Sequence, residues 1–364
     1  MRRPLRHGYT TGACAAAAVR GAALLLRDQQ RHDAVELPLP AGVTAVFPLQ
    51  GQRFDTYSAA CCVTKDAGDD PDVTHGCQVW AEVTLLAEGR PGEIIIAGGT
   101  GIGRVTKPGL AVPVGAWAIN PVPRRLITEA IQSVFTGHAS RVTVHVTLSI
   151  PDGEVRARRT LNARLGILGG LSILGTTGVV TPVSHRAWTD TIDAALGVAL
   201  ATGCRRVVAS TGRSSEMVAE QTLGLPAEAF ILMGDHVGHL AAACRQRGIA
   251  ELVLAAQFAK LVKIACGHPQ THAAVVALDL QTMTGWARTS GLDGALVERL
   301  EWAHTARELY LDLGPRHPLM ALVAARALDR LHEWTPGVRC GVLLAGYAGE
   351  PAVMFGELFE AREP

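Results

Sequence analysis

At 364 residues the chain is too long for one ordinary hydrophobic core, so two domains are expected, and a 48% hydrophobic content is enough to fill both. A net charge of +1, with no basic run interleaved with aromatics, argues against nucleic acid as a partner. No apolar run is long and uncharged enough to cross a bilayer, and eight cysteines without a CxxC pair suit packing in a reducing cytoplasm.

The opening Arg2-Arg3 ahead of an Ala/Leu-rich stretch imitates a secretory leader, but Arg20 interrupts the apolar run. Thr10-Thr11-Gly12 reads instead as a helix start, with alanines running to about Leu26. Such an N-terminus can hold a carboxylate or phosphate on its unpaired N–H groups, or it is a plain capped core helix. Strand-like runs follow at Val35–Leu39, Val43–Leu49, Tyr57–Thr64, Gln78–Leu86 and Glu93–Ala97. Between the third and fourth lies KDAGDDPDVTHG, which sets Asp66, Asp69, Asp70 and Asp72 around Lys65. These aspartates can bind a hard cation, hydroxyls or a cationic sulfonium, or form a solvated acidic turn. His75 beside Cys77 is too sparse for a zinc site, and no metal is expected.

The GGTGIG run at 98–103 invites comparison with a dinucleotide loop, but Pro108 and Gly109 follow where a helix should open. Arg104 and Lys107 are candidate anion contacts. Asn120 precedes a proline-led helix carrying Ile127, Ile131, Val134 and Phe135 on one face. Arg124 and Arg125 in its first turn oppose the helix dipole, which hints at an acidic ligand or neighbour. A strand at 142–150 closes this half.

The segment Asn162–Ser184, NARLGILGGLSILGTTGVVTPVS, is the stretch around which the chain is organised. Its glycines let the backbone approach a ligand, and GTTG offers N–H groups and hydroxyls; an apolar crossover between domains is the alternative. It is expected to line a cleft between the halves. A helix from about Arg186 follows, with Trp188, Ile192, Ala195, Leu196 and Ala199 on its buried face. Then strands RRVVAS, AFILMG and AELVLAAQ alternate with helices, as in a parallel sheet covered on both faces. Loops at their carboxyl ends hold Thr211, Gly212, Ser214, Ser215 and Glu216, then Gly234 and Asp235, then Gln257; these can take ribose hydroxyls, or are ordinary capped turns. Helices at about Gly294–Leu311 and Pro318–Trp334 precede a final strand pair near Val338–Leu344 and Ala352–Phe355. The fold class expected is α/β and α+β in two domains: a mixed α+β domain over 1–160, and over 161–364 an α/β domain with a largely parallel sheet.

Taken together, GYTTGACAAAA (8–18), VTKDAGDDPDVTHG (63–76), GGTGIGRVTKPGL (98–110), AINPVPR (118–124), LGILGGLSILGTTGVVTP (165–182) and TGRSSE (211–216) resemble the CbiD family of the anaerobic cobalamin pathway. The motifs cover both halves in the family's order. The resemblance implies transfer of a methyl group from S-adenosylmethionine to carbon 1 of cobalt-precorrin-5B, giving cobalt-precorrin-6A, with cobalt entering only as part of the substrate. Methyl transfer between two bound partners needs mainly alignment and exclusion of water, so no covalent protein intermediate is expected, and Cys14 and Cys62 are read as packing residues. On the resemblance, Lys65, Asp66 and Asp70 are the catalytic candidates. Thr10, Thr11, Gly12, Thr100, Gly101, Gly103, Arg104, Lys107, Asn120 and Arg124 are candidates for the substrate. Gly175, Thr176, Thr177, Gly178, Thr211, Gly212, Glu216, Gly234 and Asp235 are candidates for the methyl donor, with the C-terminal domain as the donor-binding half. Other enzymes of the corrinoid pathway and a second copy of the chain are the partners to expect. Ala13, Ala116-Trp117, His185 and Asp235-His236 depart from the family pattern, which puts those positions' roles in doubt. The alternatives are a non-catalytic tetrapyrrole-binding partner of the pathway and a nucleotide-dependent oxidoreductase.

Overall fold

The computed structural model describes residues 5–87, 90, 92–136, 142–347 and 350–359; Arg2 and Arg3 lie outside them. Contacts divide the chain into two units, Met1–Ser184 and His185–Pro364. Residues 161–184, expected with the second domain, therefore belong to unit 1. The reason is backbone pairing: two short strands in this segment zip antiparallel onto earlier parts of unit 1.

Unit 1 runs β1 (Gly8–Tyr9), α1 (Thr11–Asp28), β2 (Ala34–Pro38), β3 (Thr44–Pro48), β4 (Gln50–Phe54), β5 (Ser58–Thr64), β6 (Gln78–Leu86), β7 (Ile94–Gly98), β8 (Arg104–Val105), α2 (Pro121–Val134), β9 (Thr143–Ser149), α3 (Gly153–Ala157), β10 (Ile167–Leu168) and β11 (Val179–Val180). Alternation turns Val35, Leu37, Ala45 and Phe47 inward on the β2–β3 hairpin. The main sheet has the order β4-β5-β6-β9-β7, antiparallel except where β7 joins β9. Helix α1 packs on it through Ala13 to Ala18, all fully buried. Small residues make this approach close: a Cβ on Gly21 would come within 2.7 Å of Leu49 and 2.9 Å of Cys61 Sγ. Cys14 and Cys61 sit in this interior, and burial pushes both thiols up to about 12. They are packing groups near neutral pH.

Unit 2 runs α4 (His185–Ala201), β12 (Arg206–Ser210), α5 (Arg213–Leu223), a 3-10 turn at Ala227–Ala229, β13 (Phe230–Leu232), α6 (Val237–Arg247), β14 (Glu251–Ala256), α7 (Phe258–Ala265), α8 (Leu280–Thr289), α9 (Gly294–Trp302), α10 (Ala306–Leu313), α11 (Pro318–Trp334), β15 (Arg339–Leu344) and β16 (Val353–Phe355). Strand order is β13-β12-β14-β15-β16, parallel up to β15, with β16 antiparallel at the edge. Apolar strands covered by helices give this arrangement, as the sequence predicts. From β12 the chain crosses to β13 on one side and then to β14 on the other, so their carboxyl ends open a switch-point crevice.

Two expectations for unit 2 need correction. The helix expected over Gly294–Leu311 is broken into α9 and α10, because Thr305 Oγ1 caps the second by accepting from Glu308 N at 3.1 Å. Trp188, expected on the buried face of α4, is 40% exposed, with its ring close to Gly234.

Candidate functional site

The segment 162–180 is the spine onto which the other motif loops of unit 1 are hydrogen-bonded. Gly103 N donates to Leu171 O at 2.9 Å, Ile173 N to Ala118 O at 2.8 Å, Asn120 N to Ile173 O at 2.9 Å and Thr106 N to Gly166 O at 2.6 Å. The start of α1 is clasped by the same spine. Gly12 N donates to Leu174 O at 2.9 Å, and the Thr11 hydroxyl accepts from Leu174 N at 3.0 Å. Thr10 Oγ1 caps Ala13 N at 3.2 Å, and Thr10 N donates to Gly178 O at 3.0 Å. The N–H groups of Gly12 and Ala13 are thus occupied within the chain, and Thr10 and Thr11 are buried. Gly175, at φ +128°, lets the loop press against Thr10: a Cβ there would reach 2.4 Å from it. Thr177 Oγ1 closes its own turn onto Val179 O at 3.0 Å, while Thr176 is exposed. GTTG is therefore a structural element of unit 1, although the sequence reading put it in the donor-binding half.

The aspartates turn to separate donors. Asp66 is held by both terminal nitrogens of Arg6 (Nη2 to Oδ1 2.9 Å), and Asp69 accepts from Arg6 N at 2.7 Å. Asp70 Oδ1 accepts from Val183 N at 2.9 Å. Asp72 takes the Lys65 ammonium at 2.6 Å and both donors of Thr74 at 2.7 Å. The hydrogen bonds from Arg6 bring the Asp66 carboxyl down to about 2. For Asp72, burial works the other way, but the Lys65 charge and the hydrogen bonds prevail and its pKa is lowered. Among the described residues, no group of three or more His, Cys, Asp and Glu is arranged to hold a metal ion.

Glycines of the GGTGIG loop serve backbone packing. Gly101, at φ +71°, leaves no room for a Cβ, which would fall 1.9 Å from Ile150 O; at Gly103 it would meet Ile167 at 2.4 Å. The loop leads into strand β8 and opens no helix, so it lacks the dinucleotide geometry. Thr100 and Arg104 remain exposed. The Arg104 guanidinium lies 4.0 Å from the Trp117 ring centroid, and its Nη1 donates to Gly115 O at 2.9 Å. Lys107 Nζ donates to Arg164 O at 3.1 Å. Asn120 caps α2 without a side-chain bond, and Arg124 Nε donates to Ile119 O at 3.0 Å. Neither 94–128 nor 155–184 contains Asp or Glu, yet they carry Arg104, Lys107, Arg124, Arg125, Arg156, Arg158, Arg159 and Arg164. These two stretches pair through β8 and β10. That one-signed composition was available in the sequence as a signal for an anionic ligand.

In unit 2, Thr211 and Gly212 follow β12 at the switch point. Gly212 N donates to Ser215 Oγ at 3.2 Å, capping α5. Glu216 is buried and takes Arg213 Nη1 at 2.9 Å. Gln257, after β14, donates from Nε2 to Gly346 O at 3.3 Å. Ser210 Oγ, fully buried at the end of β12, has no hydrogen-bond partner among the described residues. Gly234 and Asp235 follow β13, which among the described residues pairs with β12 alone and lies at the edge of the sheet. Asp235 is paired with Lys260 and accepts from Thr271 Oγ1 at 2.6 Å. Burial alone would raise its pKa; these hydrogen bonds and the Lys260 charge lower it instead. Lys260 and buried Lys263 share the Thr271 carbonyl at 3.0 and 3.1 Å, and burial together with Lys260 lowers the pKa of Lys263. Lys260, Lys263 and Thr271 escaped the sequence reading, since amphipathic spacing says nothing of which loop a lysine meets.

Comparison with known proteins follows the same division. The CbiD family profile matches residues 1–182, and the profile for the CbiD C-terminal domain matches residues 270–354. A protein of Geobacter sp. (strain M21) is 52% identical over 350 residues, covering 96% of this chain and 98% of its own length. One of Geobacter sulfurreducens is 52% identical over 351 residues, with 95% and 97% covered, and one of Priestia megaterium is 44% identical over 308 residues, with 84% and 83% covered. All three carry the name cobalt-precorrin-5B C(1)-methyltransferase. A crystal structure of the cobalamin biosynthesis protein cbiD from Archaeoglobus fulgidus is 26% identical over 79% of this chain and 85% of that one, with a TM-score of 0.38.

Proposed function

The chain belongs to the CbiD family, and from that premise we propose that it transfers a methyl group from S-adenosylmethionine to carbon 1 of cobalt-precorrin-5B. The observation that carries the reading is 52% identity over 96% of the chain to a relative of that name. Cobalt enters with the substrate, as a part of it.

When bound, S-adenosylmethionine supplies the methyl group and leaves as S-adenosylhomocysteine. The half-buried residues at the switch point of unit 2 fit such a ligand: the Thr211 hydroxyl and the Gln257 side-chain amide can meet ribose hydroxyls and the amino-acid end. Asp235 is paired with Lys260 and Glu216 with Arg213, so neutral polar groups are the better candidates there. In unit 1, the acid-free stretches with Arg104 and Lys107 suit the carboxylates of the macrocycle. Thr100 and Thr176, exposed in unit 1, can add hydroxyls to the contacts of the macrocycle. Methyl transfer between bound partners depends chiefly on alignment and exclusion of water, and no protein nucleophile is required. The eight free cysteines suit a reducing cytoplasm.

Titration of the full-length protein with S-adenosylmethionine tests the donor assignment. Thr211→Val and Gln257→Ala should each weaken binding by about fivefold to tenfold. Wild-type affinity in both, with the fold intact, would move the donor away from the carboxyl ends of β12 and β14.

A further inference from the structure

Several arginines are paired with acids: Arg6 with Asp66, Arg206 and Arg339 with Glu251, Arg247 with Asp193. Among the described residues Arg104 has no carboxylate partner, and it is nonetheless held in place. Its guanidinium stacks on Trp117, 4.0 Å from the ring centroid, and Nη1 is tied to Gly115 O at 2.9 Å. The pedestal is itself fixed. Trp117 bridges antiparallel to Arg104, and its ring packs so closely on Gly98 that a Cβ there would come within 2.5 Å. On the other side, Leu168 of β10 is opposite Arg104 in register and is 51% exposed.

We propose that Trp117 is a positioning residue: it holds the exposed guanidinium of Arg104 as a preorganised fork for one peripheral carboxylate of a flat, polyanionic macrocycle. This rests on the substrate class inferred above and adds the residue that sets its orientation. A guanidinium offers five N–H donors in a rigid plane. With one N–H given to Gly115 and one face covered by indole, the free donors lie along the outer edge, where a carboxylate can take two of them. A long side chain free in water would lose rotamer freedom on binding; Arg104 is already tied to Gly115 O and stacked on Trp117. Among the described residues no carboxylate is bonded to Arg104, whereas Arg125, Arg156 and Arg158 pair with Glu129, Asp152 and Glu154 just outside the acid-free stretches.

The test uses the full-length protein and two flat porphyrin probes, uroporphyrin with peripheral carboxylates and a porphyrin with peripheral N-methylpyridinium cations, titrated without donor. Wild type should bind the anionic probe in preference to the cationic one. Trp117→Ala and Arg104→Lys should each weaken the anionic probe by about tenfold, Trp117→Phe should restore most of the affinity, and the cationic probe should not respond. With cobalt-precorrin-5B and donor present, the same variants should raise KM for the macrocycle while leaving kcat within about twofold. Trp117→Ala or Arg104→Lys, correctly folded and binding as wild type, would overturn the proposal; so would equal losses for both probes. Wild type that binds the anionic probe but transfers no methyl group would sink the function proposed above and leave this inference standing.

Discussion

Lys65 has a side chain only 1% exposed, with its ammonium 2.6 Å from Asp72. A buried charge without its partner is expensive, so Asp72→Asn should destabilise the protein by about 3 kcal/mol, and Lys65→Met, which removes the charge itself, by less. Chemical denaturation checks the order of the two. A Lys65→Met protein of wild-type stability but without turnover would instead make Lys65 a chemical participant. The Arg6–Asp66 pair makes a prediction in pH. A carboxyl brought down to about 2, from about 3.9 in the unfolded chain, adds stability that is fully present above pH ~4 and is lost as pH falls toward 2. Urea midpoints of wild type and Arg6→Ala should therefore differ most near neutral pH and converge as pH falls to about 2. A difference constant across that range would mean that the pair contributes nothing through ionisation.

Among elements, the spine at 162–180 carries unit 1, and its demands are backbone demands. Gly101→Ala would place a Cβ 1.9 Å from Ile150 O at φ +71°, and a loss of more than about 3 kcal/mol is expected. Gly76→Ala, at φ +73° but with nothing within 4 Å, should cost about 1 kcal/mol. Equal losses would show that φ alone matters and that the close approach does not. Most elements were legible in the sequence: alternation located β2, β3 and β6, and apolar runs gave β5 and the parallel strands β12 to β14. The break before α10 was legible too, since Thr305-Ala-Arg-Glu308 is a capping signature inside the expected helix. Strand β4 was missed, because QGQRF has no apolar alternation. The role of GTTG was not legible at all: Gly12 and Leu174 meet through a hydrogen bond between distant parts of the chain, and local pattern cannot report it. Glycines that look made for a ligand here admit a neighbouring backbone.

At the scale of the whole molecule, each unit has its own interior. Unit 1 is built on α1, α2 and the antiparallel sheet, and unit 2 on Val208, Val253, Ala255 and Leu343 beneath α5. Sequence pattern anticipated two domains of these classes but put the boundary at 160, because density of glycine resembles a linker when its long-range partners are unknown. Among the site residues, exposure and pairing now separate the candidates. Arg104 is exposed and Thr211 half-buried, and neither meets a charged partner among the described residues, whereas Thr10 and Thr11 are buried in hydrogen bonds and Asp66, Asp72 and Asp235 are ion-paired within the chain. The central claim is the reaction itself. It is tested most directly by a single-turnover incubation, kept anaerobic, of the purified protein with cobalt-precorrin-5B and methyl-labelled S-adenosylmethionine, read by mass spectrometry. The expected result is one labelled methyl group on carbon 1 of the macrocycle, formed in step with S-adenosylhomocysteine. Macrocycle bound and recovered unmethylated, with the donor intact, would contradict the account and leave a tetrapyrrole-binding partner in its place.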